Sequence, residues 1–139
     1  MINIENDVFT IVADRLRAEF PGIYVTGEYL PVAASFPAVS IVEADNAVMK
    51  SMSTEKVDDF ARLMYEVNVY SNKTSGKKSE AKAIFEVVDE ALTALKFTRI
   101  SRTQVPNYAD ATIYRLNGRY EVVVGKASTA GKYMLYQNT

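Results

Sequence analysis

At 139 residues and 15.5 kDa, with 48% hydrophobic and 24% charged side chains, the chain has the size and make-up of one ordinary globular domain that needs no disulfide or metal staple. With no cysteine and no histidine, it has no thiol nucleophile, disulfide framework, serine–histidine triad or histidine-ligated metal. A balance of 16 basic against 17 acidic residues argues against a surface coated for nucleic acid or anionic membrane. Catalysis is therefore the lesser expectation.

The opening residues, Met1 to Phe9, carry no positive region and no unbroken apolar run, so they do not read as a secretory signal. Nowhere do apolar residues continue for the roughly 18–20 positions of a membrane helix. The expected setting is a reducing cytoplasm. Ile4, Val8, Ile11, Val12 and Leu16 recur at helical spacing and predict an amphipathic helix over residues 3–19, with Asn3 as N-cap and Pro21-Gly22 as the stop. Strands are predicted over Ile23–Glu28 and Ala38–Ala44. Residues 45–59 show no clean period and read as a long loop or hairpin extension. Phe60–Tyr70 alternates, with Leu63, Tyr65, Val67 and Val69 on one face and Arg62, Glu66 and Asn68 on a solvated one.

The polar stretch Ser71–Glu80 leads into a second helix marked by Ala81, Ile84, Phe85, Val88, Ala91, Leu92 and Leu95. Extended segments follow over Phe97–Val105 and Thr112–Val124. The second contains Asn117-Gly118, the pair favoured in a two-residue hairpin turn, which would set Arg115 opposite Tyr120. The expected fold is α+β, helix-strand-strand-strand-helix-strand-strand, with a mostly antiparallel sheet and two helices packed on one face. Residues 1–125 form one domain in this reading. Residues 126–139, small and then apolar, form a C-terminal arm.

Few motifs carry chemistry. Ser75-Gly76-Lys77-Lys78-Ser79 has only one of the two glycines of a phosphate loop and reads instead as a solvated helix start. Lys77, Lys78 and Lys82 there oppose the helix dipole, and with Lys73 they could meet an acidic partner. Asp58/Asp59 and Asp89/Glu90 are sequence neighbours that point apart, so they read as solvated faces rather than an acid–base pair. No alternating acidic loop for a cation is present. Arg99, Arg102, Arg115 and Arg119 lie near Tyr108, Tyr114 and Tyr120. Cross-strand pairing with Asp110 and Glu121 accounts for them better than base stacking does. No cofactor is expected. Val48, Met49 and Met52 in the loop and Tyr133, Met134, Leu135 and Tyr136 in the arm are adaptable apolar side chains. They fit a contact surface and, equally, folding back on the same subunit with the tail as an edge strand.

The helix ending in Phe20-Pro21, the strand Tyr65–Asn72, Lys77–Ile84, Val88–Leu92 and Phe97-Thr-Arg99 together resemble the tail terminator (tail completion, or minor capsid) proteins of long-tailed bacteriophages. Pro106-Asn107, Asp110–Arg115 and Arg119-Tyr120-Glu121 add to the likeness, which spans residues 1–124. The resemblance implies a non-enzymatic virion subunit, assembled in the host cytoplasm as a hexameric ring at the head-proximal end of the tail. Its partners would be other copies of itself, the tail tube protein and the head-side connector, with DNA only as passing cargo and no membrane. A ring protomer needs two unlike patches. Val48, Met49, Met52, Lys73, Lys77, Lys78 and Tyr133–Tyr136 are the expected contact residues. The alternative is a ligand-binding or regulatory α+β module acting as a dimer, its pocket lined by Tyr65, Tyr114 and Tyr120.

Overall fold

The computed structural model describes residues 1–30, 33, 35–48, 60–106, 110–126 and 133–136, with 126 and 133–136 as backbone. The helical spacing at the start produces α1 (Glu5–Glu19), which buries Val8, Val12, Ala13 and Leu16. Ile11, expected in that stripe, is 42% exposed. The buried face is turned toward Ala13 because α1 lies against the second helix as well as the sheet; Arg15 reaches Glu90 there at 3.2 Å. Ile4 rather than Asn3 holds the N-cap position, and Asn3 Oδ1 accepts from the Glu5 amide.

Three strands follow, β1 (Tyr24–Thr26), β2 (Ala38–Val48) and β3 (Phe60–Ser71). After α2 (Lys77–Ala94) come β4 (Thr98–Gln104), β5 (Tyr114–Lys126) and β6 (Tyr133–Tyr136). The α+β class and the predicted element order hold. The strands lie in the order β1-β2-β3-β5-β4, with β6 also on β5. One side of β5 is taken by β3 over residues 114–125; β4 and then β6 share the other side. The sheet is mixed, because β1 runs parallel to β2 while every other pairing is antiparallel. A parallel neighbour requires a crossover, and the chain after β1 provides it. The Tyr70 hydroxyl, on the side of the sheet away from the helices, donates to the Leu30 carbonyl at 3.4 Å.

The core-facing residues of the strands, among them Val39, Ile41, Leu63, Tyr65, Val67, Val69, Leu116 and Tyr120, share one face in the observed register and cluster with both helices. On α2 the expected stripe Ala81, Ile84, Phe85, Val88, Ala91 and Leu92 is buried. The helix starts earlier than its apolar pattern does. Gly76, at φ 87°, is its N-cap, a left-handed conformation that glycine adopts freely. The Ser71 hydroxyl donates to Glu80 Oε1 at 2.7 Å and holds that first turn.

Asn117-Gly118 is not a turn: both residues lie inside the continuous strand β5, opposite Asn68 and Val67. Arg115 therefore faces Tyr70 and Tyr120 faces Tyr65. The glycine is required by packing instead, since a Cβ at position 118 would collide with the buried Phe85 ring. Of the stretch read as a long loop or hairpin extension, residues 45–48 take the second form, continuing β2 against β3 past a bulge between Glu43 and Asp45. Residues 49–59 lie outside the described set.

Candidate interaction surface

The face of the sheet without helices was expected to be solvated around Asn68, and it is not. Asn68 is buried, and its Oδ1 accepts from Arg115 Nε (3.0 Å), Arg115 Nη2 (2.9 Å) and Asn117 Nδ2 (3.0 Å). Asn117 Nδ2 also donates to Glu66 Oε1 at 2.8 Å. The Arg115 guanidinium stacks 5.5 Å from the Tyr70 ring centroid. Burial raises the Tyr70 phenol above its ordinary pKa, and the arginine pulls it partly back. Ser40, opposite Asn68, is fully buried and its hydroxyl has no hydrogen-bond partner. The network was missed because two asparagines, an arginine and a glutamate on the polar side of strands read as exposed. Their adjacency depends on the β3–β5 register, which the expected hairpin had scrambled.

A second polar cluster lies on the helix side, between α2 and β4. A cleft of about 300 Å³ is lined by Phe85, Glu86, Asp89, Glu90, Arg99 and Arg102. The buried Tyr120 hydroxyl donates to Asp89 Oδ1 at 2.7 Å, and Arg99 Nη1 meets the same oxygen at 2.9 Å. Burial, and then the hydrogen bond to Asp89, push the Tyr120 phenol far above the usual tyrosine range. Arg102 sits 5.8 Å from the Phe85 ring centroid and makes no ion pair among the described residues. Glu90 lies on a solvated face as expected and Asp89 is half-buried, and each pairs with an arginine on another element.

The third cluster is acidic and lies on β2 beyond the stretch that β1 pairs with. Burial raises the Glu43 carboxyl above its ordinary pKa, helped by Glu5 and Asp45 and opposed by hydrogen bonds from Tyr65 and Asn46. The Tyr65 hydroxyl donates to Glu43 Oε1 at 3.3 Å. Asn46 Nδ2 donates to the Ile2 carbonyl at 2.8 Å, tying the first residues to the same corner. Among the described residues no group of three acids is arranged to hold a metal ion.

Of the expected contact residues, Val48 is 49% exposed at the end of β2, and Lys73 and Lys78 are exposed around the start of α2. Lys77 is half-buried, its Nζ donating to the Thr112 carbonyl at 3.0 Å. Thr112 in turn is held by Asp110, whose carboxyl those hydrogen bonds keep below the usual range. Among the described residues Asp110 forms no ion pair with an arginine. Glu121 forms one, with Arg62 at 3.5 Å. Met49, Met52, Asp58, Asp59 and Tyr108 lie outside the described residues. The backbone of Tyr133, Met134, Leu135 and Tyr136 pairs with Lys126, Gly125, Val124 and Val123 of β5. Tyr65, Tyr114 and Tyr120 all point into the core; Tyr65 meets Phe97 edge-on at 5.2 Å and Tyr120 stacks on Phe85 at 6.3 Å.

Among the described residues no helix is long and apolar enough to cross a membrane. No protein-family model matches the chain, and no curated protein matches it.

Proposed function

We propose that this chain is a structural virion subunit of the tail-terminator type, capping the tail tube as a hexameric ring and joining it to the head-side connector. The observation that carries this reading is where the unspent groups lie. The buried polar side chains of the described core largely bond one another, whereas Val48, Lys73, Lys78, Ile100 and Arg102 are left at strand ends, helix ends and the sheet rim. That distribution suits a protein that works through contacts on several sides. The stretches carrying the resemblance fall at the end of α1, on β3, α2, β4 and β5, and in the connection before β5. Residues 126–139 serve in this reading as an arm that adds to the contacts, with DNA passing through the ring.

The test is tube capping. Purified protein added to polymerising tail tube protein is expected to stop elongation and to sit at one end of each tube in electron micrographs, with native mass spectrometry giving a closed species of six. Tubes that elongate unchanged at saturating protein overturn the reading. A stable dimer that gains thermal stability from a small metabolite replaces it with the ligand-binding module.

A further inference from the structure

The two sides of the sheet end differently, and among the described residues each ends without a further strand. At one side β4 is the last strand, and Arg99, Ile100, Arg102, Thr103 and Gln104 are exposed. At the other, β1 covers β2 only through Ser40, so the outer rim of β2 from Ile41 to Val48 pairs with no strand among the described residues. An uncovered strand rim offers unpaired N–H and C=O groups to another strand. Among the described residues Arg99–Gln104 of β4 and Ile41–Val48 of β2 have no further strand beside them, six residues against eight, and within the β2 stretch Ile41 and Val42 are themselves buried.

We infer that these two rims join head to tail, β4 of one copy adding to the free stretch of β2 of the next. The inference rests on the ring reading and names the surfaces that close it. Charge and shape favour the unlike pairing over like with like. Strand β4 carries Arg99 and Arg102 and no acid, and the free stretch of β2 carries Glu43 and Asp45 and no base. Two β4 rims brought together would set Arg102 near Arg102, a like-charge contact. On this rim Arg99 is already paired with Asp89, and Glu90 with Arg15, so Arg102, beside Glu86 in the cleft, is the arginine of β4 without an ion pair among the described residues. Each rim also exposes one large aliphatic side chain, Ile100 at 51% and Val48 at 49%.

Geometry adds a condition that is met. A rotation about an axis along the strands preserves strand direction, and three antiparallel steps separate β2 from β4. The neighbour's β2 therefore arrives antiparallel to β4, with both helix faces on the same side. Arg102 and Glu43 both belong to that side, since Gly118 and Tyr65 are their respective partners in the register. The bulge at Ile100 blunts the rim against indiscriminate pairing while keeping an anchor for one acidic strand.

The absence of cysteine makes the test clean. Ile100→Cys and Val48→Cys each introduce a single thiol at an exposed position. A flexible bismaleimide reaching about 10 Å tolerates a register offset of two residues, about 7 Å. The inference expects cross-linked dimers when the two variants are mixed, little product from either alone, and a ladder of covalent oligomers from the double variant. Adding Arg102→Glu should lower the mixed yield several-fold while circular dichroism stays unchanged. Cross-linking of Ile100→Cys with itself overturns it in favour of a two-fold dimer. Hexamers in native mass spectra without the mixed product overturn it while leaving the ring reading standing. A chain that stays monomeric and uncross-linked at every concentration also overturns it, and tube capping then decides the ring reading separately.

Discussion

Gly118→Ala is the substitution on which the observed register depends most directly. In a hairpin turn, position 118 would be exposed; here its missing side chain is the space filled by the Phe85 ring. That ring is 1% exposed and stacked on Tyr120 at 6.3 Å, so it cannot swing into solvent. Forcing one extra carbon into such a core costs about 1–3 kcal/mol. At about 2.1 cal/mol/K per residue the unfolding entropy of this chain is near 0.29 kcal/mol/K, so about 2 kcal/mol lowers Tm by about 7 °C. The assay is urea and thermal unfolding followed by circular dichroism, with coincident probes to establish two-state behaviour. Phe85→Leu, expected to cost about 1–1.5 kcal/mol on its own, vacates part of the contested space. The double variant should then be more stable than the summed single effects by about 1 kcal/mol or more, as neighbours that share space are not additive. Strict additivity, or a Gly118→Ala protein as stable as the parent, would refute the packing of α2 on β5.

Further outcomes follow from the buried network around Asn68 and from the acidic corner at Glu43. Asn68→Ala removes the acceptor of three hydrogen bonds and leaves the Arg115 guanidinium short of a partner; a loss of about 1–3 kcal/mol in urea unfolding is expected. Ser40→Ala should do the opposite, stabilising by about 1 kcal/mol, because its hydroxyl is buried without a partner. Glu43 titrates above its ordinary value in the folded chain, so between the unfolded and folded pKa values the native state binds more protons and stability falls as pH rises. Glu43→Gln is therefore expected to unfold at higher urea than the parent at pH 7, with the advantage vanishing as pH is lowered through that carboxyl's pKa.

The parts of the fold legible in the sequence are those set by repeating apolar spacing within one element. Val8, Val12 and Leu16 announced α1; Ile84, Phe85, Val88 and Leu92 announced α2; Leu63, Tyr65, Val67 and Val69 announced β3. What stayed hidden depended on contacts between distant segments. Asn117-Gly118 satisfies the local preference for a turn, yet Phe85, 33 residues earlier, claims the space over the glycine and makes a straight strand the better solution. Asn68 has nothing in its neighbourhood to mark it as buried until Arg115 and Asn117 are aligned beside it. For the candidate surface, Val48 was legible as an exposed aliphatic residue in a stretch without periodicity. Ile100 was not, because its exposure comes from a bulge that only the pairing of β4 with β5 reveals.

The position of β6 has a consequence for solubility. Strand β5 is paired with β4 only up to Glu121, and after Val122 the stretch Val123–Lys126 is flanked on that side by β6. Three consecutive valines have high β-propensity and no charge, the composition of an aggregation template when a rim is bared. The C-terminal strand thus acts as a built-in guard strip. Deleting residues 126–139 to probe assembly would also uncover this template, and a truncated chain should be judged by its tendency to form fibrils as well as by its failure to close a ring.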